Sequence, residues 1–352
     1  MFGFKIVAVL LILIGMLFPM PVFAIDLEEG SQDNKFMHHY RLSKQTRTPH
    51  SEFVEYVQTV NQHRGNKIAF IGDSVVTGVS SQADETIPVF MEAKLQKNGL
   101  PIQVYNFGLP GGRFLDHLFM MRYVHQYTGI KDYVMNISYP FFSEEIQKSP
   151  SIYYPMFGDF ISREELKRRG IGEFKHNDEQ NEESNPVENS NSQNSWEQNK
   201  YRVWNDTYWD KERLAHYEKV YNVNDFEKDQ RSLQPFIEIL KYAKMNDINI
   251  VFVVSPINTK LLSLSDKFDK EMFEKNNKYI TDLVSSYDFH VYSYQQLIPN
   301  EYFNDSIHLL GPANKMIGEK LAKDWLRNDS KGYYSVEVAD LLDYNIKSIS
   351  TN

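Results

Sequence analysis

From Lys67 onward, short apolar runs alternate with longer stretches in which apolar residues return every three or four positions. The short runs are "KIAFI", "IQVYNFG", "DYVMNIS", "INIVFVV" and "FHVYS", and each predicts a buried strand. Between them lie "TIPVFMEAKLQKNG", "RFLDHLFMMRYVHQY", "QPFIEILKYAKM" and "DKEMFEKNNKYITDLVSSY", with a last helical stretch from Pro312 to Leu326. In the first of these, Ile87, Phe90, Met91 and Leu95 share one helical face and Gly99 stops the helix. Five apolar strands separated by helices predict a parallel sheet covered on both faces, a three-layer α/β/α sandwich. Such sheets place their chemistry at the carboxyl ends of the strands.

Two regions depart from this rhythm. Residues 25–65 are polar apart from "SEFVEYVQTVNQ", where Phe53, Val54, Val57 and Val60 predict a helix packed on the domain. The stretch of about 144–230 reads as an insertion, charged and aromatic by turns. Its centre, residues 176–200, carries too little apolar surface to hold one conformation. The expected organisation is therefore an N-terminal segment 1–24, a helical extension 25–65, a domain 66–328 carrying that partly disordered insertion, and a tail 329–352.

The first 24 residues hold one charge, Lys5, then an apolar run from Ile6 to Phe18 and a small-residue ending at Ala24. This is the pattern of a secretory signal, with an uncleaved N-terminal anchor as the alternative. Either one puts the remainder outside the cytoplasmic membrane, with membrane association through this segment if it is kept. There is no cysteine, which excludes disulfides, a cysteine nucleophile and cysteine metal sites. A formal net charge of −9 argues against a nucleic-acid partner. Aromatic residues make up 14% of the chain, and core packing is the commoner fate of such rings than a sugar-binding face.

The candidate chemistry starts at Ser74. It directly follows the first strand in "FIGDS", with Asp73 beside it as a turn former or local hydrogen-bond acceptor. A serine nucleophile needs a base, and the base needs a group that fixes its tautomer. Asp305 and His308 stand three residues apart in "NDSIH", after the fifth strand and before the last helix. In a tight turn that spacing lets the carboxylate accept from imidazole Nδ1 and leaves Nε2 free for the serine proton. The histidines show no two-His-plus-acid spacing for a metal, His117 and His125 included, and no metal or other cofactor is expected. "GLPGG" lacks the Gly-Lys-Ser/Thr ending of a phosphate loop and reads as a tight turn.

"FIGDS" followed late by "DSIH" resembles the SGNH (GDSL) hydrolase superfamily over roughly residues 66–142 and 232–327. The resemblance implies a flavodoxin-like sandwich, with Ser74 as nucleophile, His308 as base and Asp305 as its partner. It also implies an oxyanion hole formed by the backbone N–H groups of Ser74 and Gly108. The third block departs from the family: "NISYPFF" stands where Gly-x-Asn-Asp is usual. The third oxyanion donor is thus left open among Asn106, Asn136 and Asn258, with Asn136 the candidate and a structural role the alternative for each. "VVSPIN", the Ser-x-Pro-aromatic segment at 138–141 and the N-terminal segment are similar, more loosely, to the D-alanyl transfer protein of lipoteichoic acid biosynthesis and other envelope O-acyltransferases.

Together these readings lead to an exported serine esterase or O-acyltransferase. Its expected substrate is an acylated small molecule, envelope glycan or teichoic acid, with a membrane-bound acyltransferase as a possible partner. The alternatives are a non-catalytic envelope assembly protein on the same fold and a lipid or lysophospholipid esterase.

Overall fold

The computed structural model describes residues 41–42, 48–148, 151–169 and 211–327. The N-terminal segment 1–24, residues 176–200 and the tail 329–352 lie outside the described residues. Five strands form one parallel sheet: β1 (Asn66–Gly72), β2 (Ile102–Gly108), β3 (Asp132–Ile137), β4 (Asn249–Val254) and β5 (His290–Ser293). Their spatial order is β2-β1-β3-β4-β5. The chain steps from β1 to β2 on one side, then returns past β1 to build β3, β4 and β5 on the other. That reversal leaves a crevice outside the carboxyl ends of β1 and β3, where doubly wound sheets bind ligands.

Because side chains alternate across a strand, each strand feeds two separate cores. Ile68, Phe70, Val104, Val134, Val251 and Val253 face α3 (Ile87–Lys97) and the last helix, α11 (Gly311–Arg327). Ala69, Ile71, Tyr105, Phe107, Met135 and Phe252 face α1 (His50–Gln62), α4 (Phe114–Thr128), α8 (Gln234–Met245) and α10 (Lys270–Ser286). Between these lie the short α2 (Ser74–Thr77), α5 (Glu144–Lys148), α6 (Arg163–Arg168), α7 (Lys211–Val220) and α9 (Thr259–Leu262). In α1 the buried residues are Phe53, Tyr56, Val57 and Val60. Tyr56 is buried more deeply than the expected Val54, and its hydroxyl donates to Asn106 O (3.3 Å).

The described flanks of the region 144–230 are less independent than an insertion suggests. Tyr153, Tyr154, Met156, Phe157, Val220, Tyr221 and Phe226 all join the second core. Helix α6 is fastened to α4 by Arg122–Glu165 (2.7 Å), with Arg169 paired to the same carboxylate (3.2 Å). The "YPFF" rings after β3 are core as well: Tyr139, Phe141 and Phe142 are buried, and Phe142 packs on Phe226 at 5.0 Å. Among the described residues no helix is long and apolar enough to cross a membrane.

Helices α3 and α11 approach closely at Gly318 of α11. A Cβ added there would sit 2.7 Å from Ile87 O and from Phe90 Cβ of α3. Overfilling a packed contact of this kind typically costs about 1–3 kcal/mol. Gly318→Ala is therefore expected to lower the urea midpoint by that amount of stability, with the denaturant slope unchanged.

Candidate active site

Strand β1 is apolar from Ile68 to Ile71 and ends at Gly72, with Asp73 and Ser74 following directly. Gly72 is required by close approach, since a Cβ there would stand 1.9 Å from Asn136 Oδ1 and 2.3 Å from Val76 Cγ2. Asp73 caps α2, its carboxylate accepting from Val75 N (2.9 Å), so Ser74 becomes the first residue of that helix. This places the Ser74 backbone N–H among the donors that a helix start leaves without an intrahelical acceptor.

Asp305 and His308 lie in a tight turn closed by the Phe303–Leu309 bridge and by Asn304 N donating to His308 O (2.8 Å). The Asp305 carboxylate accepts from Ile307 N (2.9 Å) and His308 N (2.8 Å) through Oδ1. Its Oδ2 lies 2.6 Å from His308 Nδ1, and His308 Nε2 lies 2.7 Å from Ser74 Oγ. An ionised carboxylate only accepts, so Nδ1 carries the proton; in the neutral ring Nε2 then accepts from the serine hydroxyl. The structure thus brings Ser74, His308 and Asp305 into one continuous hydrogen-bonded chain, although the first and last are more than two hundred residues apart.

Charge favours that arrangement. Burial alone would lower the pKa of His308, but the neighbouring Asp305 carboxylate, its hydrogen bond and the more distant charge of Asp73 together raise it above its ordinary value. Burial likewise pushes Asp305 up, yet His308 and the two backbone donors hold it below the usual carboxylate range. Asp73, 3% exposed, is raised by its burial.

The other expected site residues fall elsewhere. Gly108 does not offer its N–H, which donates to Asn106 Oδ1 (2.9 Å) while Asn106 Nδ2 donates to Val76 O (2.8 Å). A side chain two residues upstream has satisfied the donor that a reading of the strand end leaves free. Asn136 is buried beneath Gly72 and Asp73. Its Oδ1 accepts from Asp73 N (3.1 Å), and its Nδ2 faces Asp73 Oδ1 (3.0 Å), Ser255 Oγ (3.0 Å) and Ser138 Oγ (3.2 Å). Asn258 caps α9 and reaches Asp305 O at 3.4 Å. All three asparagines are structural in this geometry.

Residues missed in the sequence complete the site. Ser138 and Ser255, at the carboxyl ends of β3 and β4, close the polar cluster round Asp73, with Ser138 Oγ donating to Asp73 Oδ2 at 2.5 Å. Their signal was present: a small hydroxyl residue ends an otherwise apolar strand in both "NIS" and "VVS". After β2, Leu109-Pro110-Gly111-Gly112 forms a turn, with Gly112 N donating to Leu109 O (2.7 Å) and Gly111 at φ +75°. Tyr153 Oη donates to Pro110 O (2.6 Å) and so fixes the peptide whose N–H belongs to Gly111. In a trans peptide C=O and N–H point in opposite directions. The Gly111 N–H therefore points away from buried Tyr153, and Gly111 itself is exposed with open space above its Cα.

No family model and no curated protein matches the chain. Among solved structures, a lipolytic protein of the G-D-S-L family from Veillonella parvula is 9% identical at a TM-score of 0.39, over 75% of this chain and 100% of that one. The lipase/acylhydrolase from Enterococcus faecalis is 9% identical at 0.42, over 74% and 95%. A carbohydrate acetylesterase from Sinorhizobium meliloti is 9% identical at 0.39, over 75% and 99%.

Since the base must be neutral to accept a proton, ester turnover is expected to rise with pH through an apparent pKa above 6.5. Asp305→Asn removes the charge that favours imidazolium, so the limb should move to lower pH while the maximal rate falls by about 10³–10⁴-fold. A pH–rate profile of both proteins checks the sign and the size together.

Proposed function

We propose that the protein is a serine-dependent esterase or O-acyltransferase that works through an acyl-enzyme on Ser74. The observation that carries this reading is the unbroken sequence Asp305–His308–Ser74 at 2.6 and 2.7 Å. Ser74 Oγ attacks the carbonyl carbon of an O-acyl ester as its proton passes to His308 Nε2. The tetrahedral oxyanion is received by the Ser74 N–H and, in place of Gly108, by the Gly111 N–H. His308 then returns the proton to the departing alkoxide, leaving the acyl group on Ser74. In the second half-reaction a hydroxyl compound gives its proton to His308 and attacks the acyl carbon, and His308 passes that proton to Ser74 Oγ as the acyl–serine bond breaks. No step calls for a metal or organic cofactor.

If the entering hydroxyl is water, the protein is an esterase. If it belongs to a sugar or polyol, the protein is a transferase. The export-type segment at residues 1–24 supports an extracytoplasmic setting, in which envelope glycans or teichoic acids supply both acyl esters and acceptors. A membrane-bound acyltransferase fits the same setting as the source of acyl groups. The non-catalytic alternative has less support, because nothing in fold stability requires a serine, a histidine and an acid to stay in line.

The wild-type protein should be modified at Ser74 by a fluorophosphonate and should hydrolyse a small acetyl ester. Ser74→Ala is expected to lose at least about 10³-fold in kcat with its thermal transition retained; labelling of the alanine variant would end the assignment. Transfer is tested by adding glycan and polyol acceptors and following acylated product by mass spectrometry, with hydrolysis alone across the panel excluding the transferase. Tyr153→Phe, which frees the Pro110 carbonyl, is expected to cost about 10-fold in kcat with KM of the ester little changed. An unchanged kcat would remove Gly111 from the oxyanion hole.

A further inference from the structure

Arg41 precedes the first helix and belongs to no strand or helix of the sandwich, yet its guanidinium is committed to the turn that follows the nucleophile. Arg41 Nε donates to Thr77 O (2.8 Å), and Nη2 donates to Gly78 O (2.6 Å) and Ser81 O (2.7 Å). The adjoining Leu42 is 2% exposed and anchored in the core on the α1 side. From the serine hydrolase reading above and these contacts, we infer that Arg41 is a positioning residue, holding the Ser74 helix in register with the turn that carries His308.

The physical need is clear from the length of α2. Four residues are too few to sustain a helix by their own hydrogen bonds, so its geometry depends on what holds its two ends. Asp73 holds the amino end through Val75 N (2.9 Å). At the carboxyl end the final carbonyls lack intrahelical donors, and a cation there also complements the helix dipole. A planar guanidinium donates from separate nitrogens held in a fixed fork, whereas an ammonium donates from a single point. Its partial burial, which disfavours the charge, is opposed by the nearby Asp84.

The clamped turn is also the one that meets the base. Ser80 Oγ accepts from Asn304 Nδ2 (2.8 Å), and Asn304 N in turn donates to His308 O (2.8 Å). Ser81 Oγ accepts from Asn314 Nδ2 (3.1 Å) on α11, the helix that follows His308. Arg41 thus holds one wall of a contact whose other wall carries Asp305 and His308. Displacing that wall lengthens the 2.7 Å Ser74–His308 hydrogen bond without touching the substrate. A misplacement of about 1 Å at such a bond costs up to about 10²-fold in rate.

The test uses the full chain and compares wild type, Arg41→Lys, Arg41→Ala, Ser80→Ala and the Arg41→Lys/Ser80→Ala double variant. Rates of fluorophosphonate labelling and of acetyl ester turnover are normalised to folded protein by circular dichroism. Arg41→Lys should lose about 10-fold in kcat and in labelling rate, with KM within about two-fold, because its ammonium donates from one nitrogen and lacks the fixed fork that holds Thr77 O apart from Gly78 O and Ser81 O. Arg41→Ala should lose more. Ser80→Ala should cost less in the Arg41→Lys background than in wild type, because both act through one turn. Wild-type rates in folded Arg41→Lys, a loss that disappears on normalisation, or strictly additive losses would each overturn the inference. A wild-type protein that neither labels nor turns over ester overturns instead the hydrolase reading on which it rests.

Discussion

The carboxylate of Asp73, buried where β1 ends, is the constraint round which this site is organised. A buried charge must be surrounded by donors, and those donors come from two neighbouring strand ends: Asn136 near the end of β3 and Ser138 just after it, with Val75 in the helix after β1. Satisfying Asp73 therefore draws the carboxyl ends of β1 and β3 together, and the same Asn136 amide, donating to Ser255 Oγ, ties in the end of β4. It also dictates Gly72, because the Asn136 amide lies where a Cβ would be, and it makes Asp73 the cap that sets Ser74 at the start of α2. The position of Ser74 follows from the need to satisfy its neighbour.

A second carboxylate does the complementary task on the far side of the imidazole. Asp305 contacts His308 directly, while Asp73 acts from a distance, and both favour the charged form of the imidazole. One carboxylate thus arrives with the strand end and the other with the turn before α11. Their separation explains why Asp305 sets the tautomer, through its 2.6 Å contact, whereas Asp73 contributes field alone.

The walls of the site are set by segments that add no strand to the sheet. The flanks of the region 144–230 reach the site from two directions: Tyr153 fixes the Pro110 carbonyl at 2.6 Å, and Tyr221 contacts Ser306 O at 3.4 Å. Arg41 approaches from ahead of α1. In each case a long side chain donates to a main-chain carbonyl of a loop at the carboxyl edge. Such loops have no ladder to hold them, so their shape depends on donors brought from elsewhere.

What the sequence by itself determined was the order of elements and which side chains to look for at the strand ends. The five strands, the helices between them and the candidate residues Ser74, Asp305 and His308, which the structure sets in one hydrogen-bonded line, were legible because periodicity is local and because Asp-x-x-His spans a single turn. Only the tertiary structure decided which backbone donors remain available. Gly108 looked open at the end of β2, but the Asn106 side chain folds back onto its N–H; Asn136 looked like an oxyanion donor, but its amide is used up round Asp73. Arg41 and Tyr153 carried no local signal, since their meaning lies in carbonyls that are close in space and remote in sequence. Hydrophobic periodicity records which face of an element is buried. Which polar group meets which is settled only when all the strand ends are brought to one edge, where each donor has several acceptors within reach.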